Sequence, residues 1–150
     1  MAVSADDQAR VYFGLGYDDI FDRRTPSAAT GIEYISPGFG PGGNYFFQVA
    51  GMATADIDLW VGAGLGWGRP IRGGPWFFEL SVAPGIFYRK DEEPGTDNLH
   101  FPMFRTQGVI GYELSNDRSL SVALSHHSAA RIDSDAGDTN TIWIRYGMKF

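Results

Sequence analysis

LSVALSHHS at residues 120–128 and TIWIRYGMKF at residues 141–150 decide the fold. In both stretches apolar residues occupy every second position, which predicts strands with two chemically different faces. In the first stretch the apolar face formed by Leu120 and its neighbours continues to His126 and Ser128. A candidate base and a candidate nucleophile are therefore predicted on the apolar face, at the end of a strand.

Six further segments alternate in the same way. They are residues 10–21, 28–36, 45–54, 59–67, 76–88 and 101–114, separated by turns rich in Gly, Pro or charge. The chain thus predicts eight strands joined by short connections and a few charged loops. Most of the strands are about ten residues long, which is the length that a tilted strand needs to cross a bilayer.

Alternation alone does not say which face points outward, and a lipocalin-type barrel would enclose the apolar face. Charged residues lie mid-strand on the opposite face, where they could pair inside a narrow lumen: Arg10, Glu33, Glu79, Arg105, Glu113, Arg145 and Lys149. The terminal Phe150, which ends an alternating strand, also resembles the C-terminal signal of outer-membrane barrels. These features favour an all-β fold, an eight-stranded antiparallel transmembrane β-barrel. We expect residues 1–150 to form this single domain, with residues 1–8 disordered.

Composition narrows the class of function. The formal net charge of −6 argues against nucleic acid as a partner. The chain has no cysteine, so it can form neither a disulfide nor a thiolate site. The sequence contains no recognisable metal-ligand cluster or phosphate-binding loop, and we expect no transmembrane helix and no signal peptide, although a mature, processed chain with an added Met would look the same. We therefore expect neither a metal nor another cofactor, and the oligomeric state stays open.

The spacing of His126 and Ser128 carries the candidate chemistry. Residues two apart in a strand share a face, so the imidazole and the hydroxyl should lie within hydrogen-bonding reach. A base beside a hydroxyl makes it a nucleophile, and a third group must orient that base. Parity admits Asn140, across the final hairpin, and Asp138 in the preceding loop, which also contains Asp133 and Asp135. His127 should face the other side, and His100 should be interfacial.

The C-terminal third resembles the PagL family of outer-membrane lipid A 3-O-deacylases. The similarity lies in the segments FRTQ at residues 104–107, GY at 111–112, SHHSAA at 125–130 and DAGDTN at 135–140. Only the His-x-Ser segment is specific. The resemblance implies an eight-stranded barrel with its site at the outer leaflet, Ser128 as nucleophile, His126 as base, and Asn140 at the position that orients the base.

The chain departs from the family pattern at three places. The family has Asn after the serine, whereas this chain has Ala129. Its Asn-Pro-Gly loop is Asp135-Ala136-Gly137 here, and a charged Asp135 beside a developing oxyanion would be unfavourable. The position of the acid holds Asn140, unless Asp138 replaces it.

The sequence therefore predicts an outer-membrane serine esterase that removes an ester-linked acyl chain from the lipid A of lipopolysaccharide. The departures motivate an alternative, a structural or adhesive barrel of the OmpX or OmpA type without catalytic activity. A lipocalin-like carrier in solution is a third hypothesis. The three hypotheses differ in which face points outward and in whether the histidine, the serine and a third polar residue meet.

Overall fold

The computed structural model describes residues 8–21, 26–90, 99–129 and 138–150. Eight antiparallel strands form a closed barrel in chain order, with the last strand paired to the first. The strands are β1 (Arg10–Asp18), β2 (Ser27–Ile35), β3 (Tyr45–Thr54), β4 (Leu59–Pro70), β5 (Trp76–Tyr88), β6 (Leu99–Glu113), β7 (Arg118–Ser128) and β8 (Thr139–Lys149). This confirms the predicted fold class.

The strand ends differ from the predicted ones by a few residues. β1 ends at Asp18 because the next residue, Asp19, has a positive φ of 58° that turns the chain. β4 continues to Pro70, three residues past the predicted end, by pairing with β5. Of the residues that we expected to be disordered, 1–7 lie outside the described part of the chain, and Gln8 is exposed.

The outer surface of the barrel is apolar along every strand. Large side chains such as Leu15, Ile32, Val61, Ile110 and Ile144 are each more than half exposed. An apolar surface of this extent is unfavourable in water and is the surface that a bilayer contacts. The apolar face is therefore outside, which excludes a lipocalin-like carrier. Within the described residues, no helix has the length and hydropathy of a membrane span.

The predicted charges fill the interior and pair there. Arg105 lies 2.9 Å from one carboxylate oxygen of Glu33. Arg145 lies 3.6 Å from the other oxygen of the same carboxylate. Arg145 also reaches Glu79 at 3.3 Å. Because no bulk water surrounds these groups, each charge is stable only with its partner and with the hydrogen bonds around it. The interior is thus filled by side chains, both these ion-paired groups and a buried apolar cluster that includes Trp60, Phe87 and Trp143, as expected for a barrel of eight strands.

Glycine allows the strands to approach these interior side chains. A Cβ atom added to Gly111 would lie 2.1 Å from the ring of Phe77, and one added to Gly64 would lie 2.0 Å from the carbonyl oxygen of Val82. Neither position has room for a side chain. The Gly-rich segments therefore serve close packing, as their alternation with apolar residues indicates.

β6 contains a bulge that changes which face its first residues occupy. Met103 pairs with Gly85, but His100 pairs with Phe87, so β6 has one extra residue against β5. The extra residue reverses the alternation, and His100 points inward and is buried. The expectation that His100 is interfacial was therefore wrong, because the bulge turns its side chain into the barrel.

The central charge cluster generates a prediction about stability. Glu33→Ala would leave Arg105 and Arg145 buried with less compensation, so we expect a loss of about 3–5 kcal/mol in the free energy of unfolding. Urea titration of the barrel in detergent micelles, followed by tryptophan fluorescence, measures it. Glu113→Ala is the matched control, since its side chain is 26% exposed at the end of the barrel that carries both termini. Equal losses in the two variants would contradict a special role for the central cluster.

Candidate active site

The candidate residues lie on the outer face of β7 and β8. In the register of the strands, His126 is directly opposite Asn140 of β8 on one side and Thr106 of β6 on the other. Ser128, two residues further along β7, is opposite Phe104 of β6. His126, Ser128 and Asn140 are each partly exposed, between the fully buried residues that alternate with them. The site is at the end of the barrel opposite to both termini.

Asn140 contacts the δ nitrogen of the imidazole. His126 Nδ1 and Asn140 Oδ1 are 2.9 Å apart. An amide oxygen only accepts hydrogen bonds, so this contact requires the hydrogen of the neutral ring to be on Nδ1. The Nε2 lone pair is then free to accept a proton. This is the tautomer that a general base needs when it activates a hydroxyl through Nε2.

Asp138 lies on the other side of the ring. Its Oδ2 is 4.0 Å from His126 Nε2, and its side chain is 64% exposed. This distance is too long for a hydrogen bond but close enough for an electrostatic interaction with a protonated ring. The two residues that sequence parity admitted therefore occupy different positions: Asn140 contacts Nδ1 of the ring, and Asp138 faces Nε2.

Ser128 shares the outer face with His126, but the two side chains are not hydrogen-bonded among the described residues. Two positions along a strand separate Cα atoms by about 6.6 Å, so a rotation of either side chain is needed to bring Oγ to Nε2. Catalytic hydrogen bonds in free enzymes are often long and shorten when substrate binds. The structure thus places the pair on one face and leaves a gap between the reacting atoms.

The residues between and beyond them point into the barrel. His127 is fully buried, with its ring 5.1 Å from that of Trp60 in an edge-on contact and 6.1 Å from that of Phe87. Ala129 is also buried, in the same cluster. The inward position of His127 was predicted, and its packing keeps His126 and Ser128 outside. Residues 130–137, with Asp133 and Asp135, lie outside the described part of the chain.

A surface groove of about 420 Å³ begins at His126 and Asn140 and follows the lipid face. Gly108 of β6 lies between Leu80 of β5 and Leu124 of β7 in the strand register, one row from His126. Its missing side chain leaves the depression between the two leucines. The sequence analysis did not identify Thr106 or Gly108 at this site. The tight turn after β6 fixes how β6 pairs with β7, so extending that register would have found both.

Several solved structures share this fold. The N-terminal β-barrel domain of Pseudomonas aeruginosa OprF has a TM-score of 0.71 at 5% identity, covering 96% of this chain and 98% of that chain. The outer membrane enzyme PagL has a TM-score of 0.68 at 12% identity, covering 94% and 99%. Neisserial surface protein A has a TM-score of 0.65 at 10% identity, covering 95% and 96%. At these identities the likeness shows the fold alone, which is that of an outer-membrane β-barrel.

The sequence itself gives the family. Residues 11–149 match the family described as lipid A 3-O-deacylase (PagL), so the chain belongs to that family. It is therefore an ester hydrolase of the bacterial outer membrane with lipid A as its substrate. This disfavours the alternative of a structural or adhesive barrel. A search of curated proteins found no match.

The contact between Asn140 and His126 predicts an observable tautomer. We expect NMR of ¹⁵N-labelled histidine in detergent micelles to show the neutral His126 ring with hydrogen on Nδ1. Asn140→Leu removes the acceptor, and the ring should shift toward the Nε2 tautomer that predominates in free imidazole side chains. Thr106→Val, on the other side of His126, is the control. A wild-type ring with hydrogen on Nε2 would contradict the assignment of the 2.9 Å contact.

Proposed function

We propose that Ser128 is the nucleophile and His126 the general base of a lipid A deacylase that works at the outer leaflet. One observation carries the proposal: on the membrane face of the barrel, two residues from Ser128, His126 Nδ1 is held by Asn140 at 2.9 Å. A polar pair oriented in this way on a surface of apolar side chains has no packing role. It leaves the Nε2 lone pair free to accept a proton.

In the first half of the reaction, the proton of Ser128 Oγ moves to His126 Nε2 while Oγ attacks the ester carbonyl carbon. The tetrahedral intermediate then breaks its bond to the sugar oxygen. That oxygen takes the proton from His126 Nε2 and leaves as a hydroxyl of lipid A. The acyl chain remains on Ser128 as an ester.

In the second half, water takes the place of the sugar hydroxyl. His126 removes a proton from the water, whose oxygen attacks the acyl carbon. The bond to Ser128 Oγ breaks, and Oγ recovers its proton from His126. A fatty acid leaves, and the free enzyme is restored. The net reaction consumes one water and converts one ester into an alcohol and a carboxylic acid.

Asn140 and Asp138 affect His126 in different ways. Asn140 fixes the tautomer and the ring plane through Nδ1 but carries no charge. Asp138, at 4.0 Å from Nε2, supplies a negative charge that favours the imidazolium formed in both half-reactions. Because Asp138 is largely exposed, water screens that charge, and its effect on the rate is small.

The placement of the site fits a substrate that arrives from within the membrane. With both termini in the periplasm, the His126 end of β7 reaches the outer leaflet, where lipid A lies. The groove over Gly108 runs from His126 toward the middle of the bilayer between Leu80 and Leu124. An acyl chain lying in it would bring its ester to the level of Ser128. The substrate enters sideways, without leaving the membrane.

Ala129 cannot stabilise the oxyanion with its side chain, because it has only a methyl group, which is buried in the barrel. Stabilisation of the tetrahedral intermediate must then come from backbone N–H groups or from other side chains near Ser128. Because position 129 points into the barrel, away from Ser128, this departure does not alter the proposed roles of Ser128 and His126.

The first test replaces the nucleophile. Cells making the wild-type chain should yield lipid A that lacks one ester-linked acyl chain, and cells making Ser128→Ala should yield intact lipid A, as mass spectrometry will show. Ser121→Ala is the matched control on the same strand, since its Oγ is buried on the inner face without a hydrogen-bond partner. It should retain full activity. Identical lipid A from the wild type and from Ser128→Ala would refute the proposal.

The second test separates the roles of Asn140 and Asp138. Asn140→Glu adds a charge on the Nδ1 side, and a partly exposed ion pair of about 1 kcal/mol should raise kcat about fivefold. Asp138→Asn should lower kcat by a similar or smaller factor. Both values come from deacylation of lipid A in mixed micelles. Loss of turnover in Asp138→Asn, with little change in Asn140→Ala, would overturn the assignment of Asn140.

A further inference from the structure

The inner side of β8, behind Asn140, has a set of contacts that the proposed mechanism does not use. Thr139 and Thr141 flank Asn140 in sequence and point into the barrel, where both are fully buried. Two carboxylates from the end of β1, Asp18 and Asp19, are buried against them, with exposures of 1% and 6%. Asn140, which contacts His126, therefore lies between two threonines whose side chains contact carboxylates inside the barrel.

The contacts are hydrogen bonds from hydroxyl groups to carboxylates. Thr139 Oγ1 lies 2.9 Å from Asp18 Oδ1 and 2.8 Å from Asp19 Oδ1, and its single hydrogen is donated to one of these two oxygens at a time. Thr141 Oγ1 also donates to Asp18 Oδ1. Hydrogen bonds to a charged acceptor are about twice as strong as neutral ones, and the barrel wall excludes competing water. Asp18 thus joins both threonines, across the residue between them.

A backbone contact completes the attachment. The ladder between β1 and β8 ends at the pair Tyr17 and Ile142, so residues 139–141 lie beyond it. Beyond it, Asp19 turns the chain with a φ of 58°, and the N–H of Ile20 donates to the carbonyl oxygen of Asn140 at 3.3 Å. The start of β8 is therefore attached to β1 through side chains and backbone after regular pairing has stopped.

We propose that Asp18 and Asp19 are positioning residues for the deacylase: they hold residues 139–141 so that the Asn140 amide meets His126. The inference rests on the proposed role of Asn140. Residues 139–141 pair with β7 on one side but have no ladder partner in β1 on the other, and the end of a strand next to a loop frays unless both sides are fixed. A shift of a catalytic group by about 1 Å can lower the rate up to 100-fold. We therefore expect the contacts of Asp18 and Asp19 with the two threonines to affect turnover.

The test removes the hydroxyl groups and then restores them. The double variant Thr139→Val and Thr141→Val keeps the shape of both side chains but donates no hydrogen bond. We expect kcat on lipid A in mixed micelles to fall on the order of tenfold, with KM unchanged. The double variant Thr139→Ser and Thr141→Ser should recover most of the activity. Thr54→Val is the control, because Thr54 is also buried at a strand end and accepts a hydrogen bond from the N–H of Asp58, away from the site.

A double-mutant comparison separates positioning from a general loss of stability. In an Asn140→Ala background, removing both hydroxyls should cause little further loss of kcat, because the residue that they position is already gone. An equal further loss in that background would overturn the inference. The inference would also be overturned if the double valine variant had full activity while Asn140→Ala had a reduced kcat. If Asn140→Ala itself has wild-type kcat, the proposed role of Asn140 fails, and the inference fails with it.

Folding of each variant is checked by the heat-dependent shift of the barrel in gel electrophoresis. If the double valine variant does not fold, the same comparison uses Asp18→Asn, which keeps an amide oxygen as acceptor, and Asp18→Ala, which keeps none. A higher kcat in Asp18→Asn than in Asp18→Ala supports the proposed positioning role of Asp18. Equal kcat in the two Asp18 variants contradicts it.

Discussion

Closure of the sheet, by pairing of β1 with β8, is the constraint on which the other features depend. In hydrocarbon no water can satisfy an unpaired N–H or C=O group, so a sheet crosses a membrane only if it has no edge. Eight strands close around an interior just wide enough for side chains. Arg105 and Arg145 must therefore find Glu33 and Glu79 within that interior, at 2.9 to 3.6 Å. The same closure brings Asp18 of β1 against the start of β8.

Closure also links the inside of the barrel to the chemistry outside it. Successive side chains of a strand point to opposite faces, so a residue fixed inside fixes the direction of its neighbours outside. Ser125 of β7 accepts a hydrogen bond of 2.8 Å from the indole nitrogen of Trp143 in β8, which ties the two strands from within. One residue beyond Ser125, His126 faces Asn140 on the outside. The packed interior thus fixes the positions of the site residues on the outer surface, where lipid provides no such packing.

Most of the fold could be predicted from alternation, because side-chain period and strand length are properties of single strands. Charges such as Glu33 and Arg105 face inward as predicted, since no arrangement exposes them to lipid cheaply. The inward turn of His100 could not be predicted, because it depends on a bulge that arises only when β6 pairs with β5. The positions of Thr106 and Gly108 beside His126 follow from the pairing of β6 with β7, which the tight turn between them fixes, and not from the alternation within either strand.

For the site, parity selected Asn140 and Asp138 but could not separate them, because both lie on the outer face. The structure separates them by their distance from each ring nitrogen and by their depth. An ionised carboxylate on the face that contacts lipid is costly, and the cost rises toward the middle of the bilayer. Asn140 is partly buried on that face, whereas Asp138 is 64% exposed, beyond the end of the strand. In the proposed mechanism a neutral amide therefore orients the base at the lipid surface, and the charge that favours the imidazolium stays nearer to water. A neutral amide stabilises the imidazolium less than a carboxylate would, but it avoids the cost of burying a charge at the lipid face. The arrangement also requires Asn140 to be held accurately. Asp18 and Asp19, inside the barrel and away from lipid, can supply that accuracy with charged acceptors.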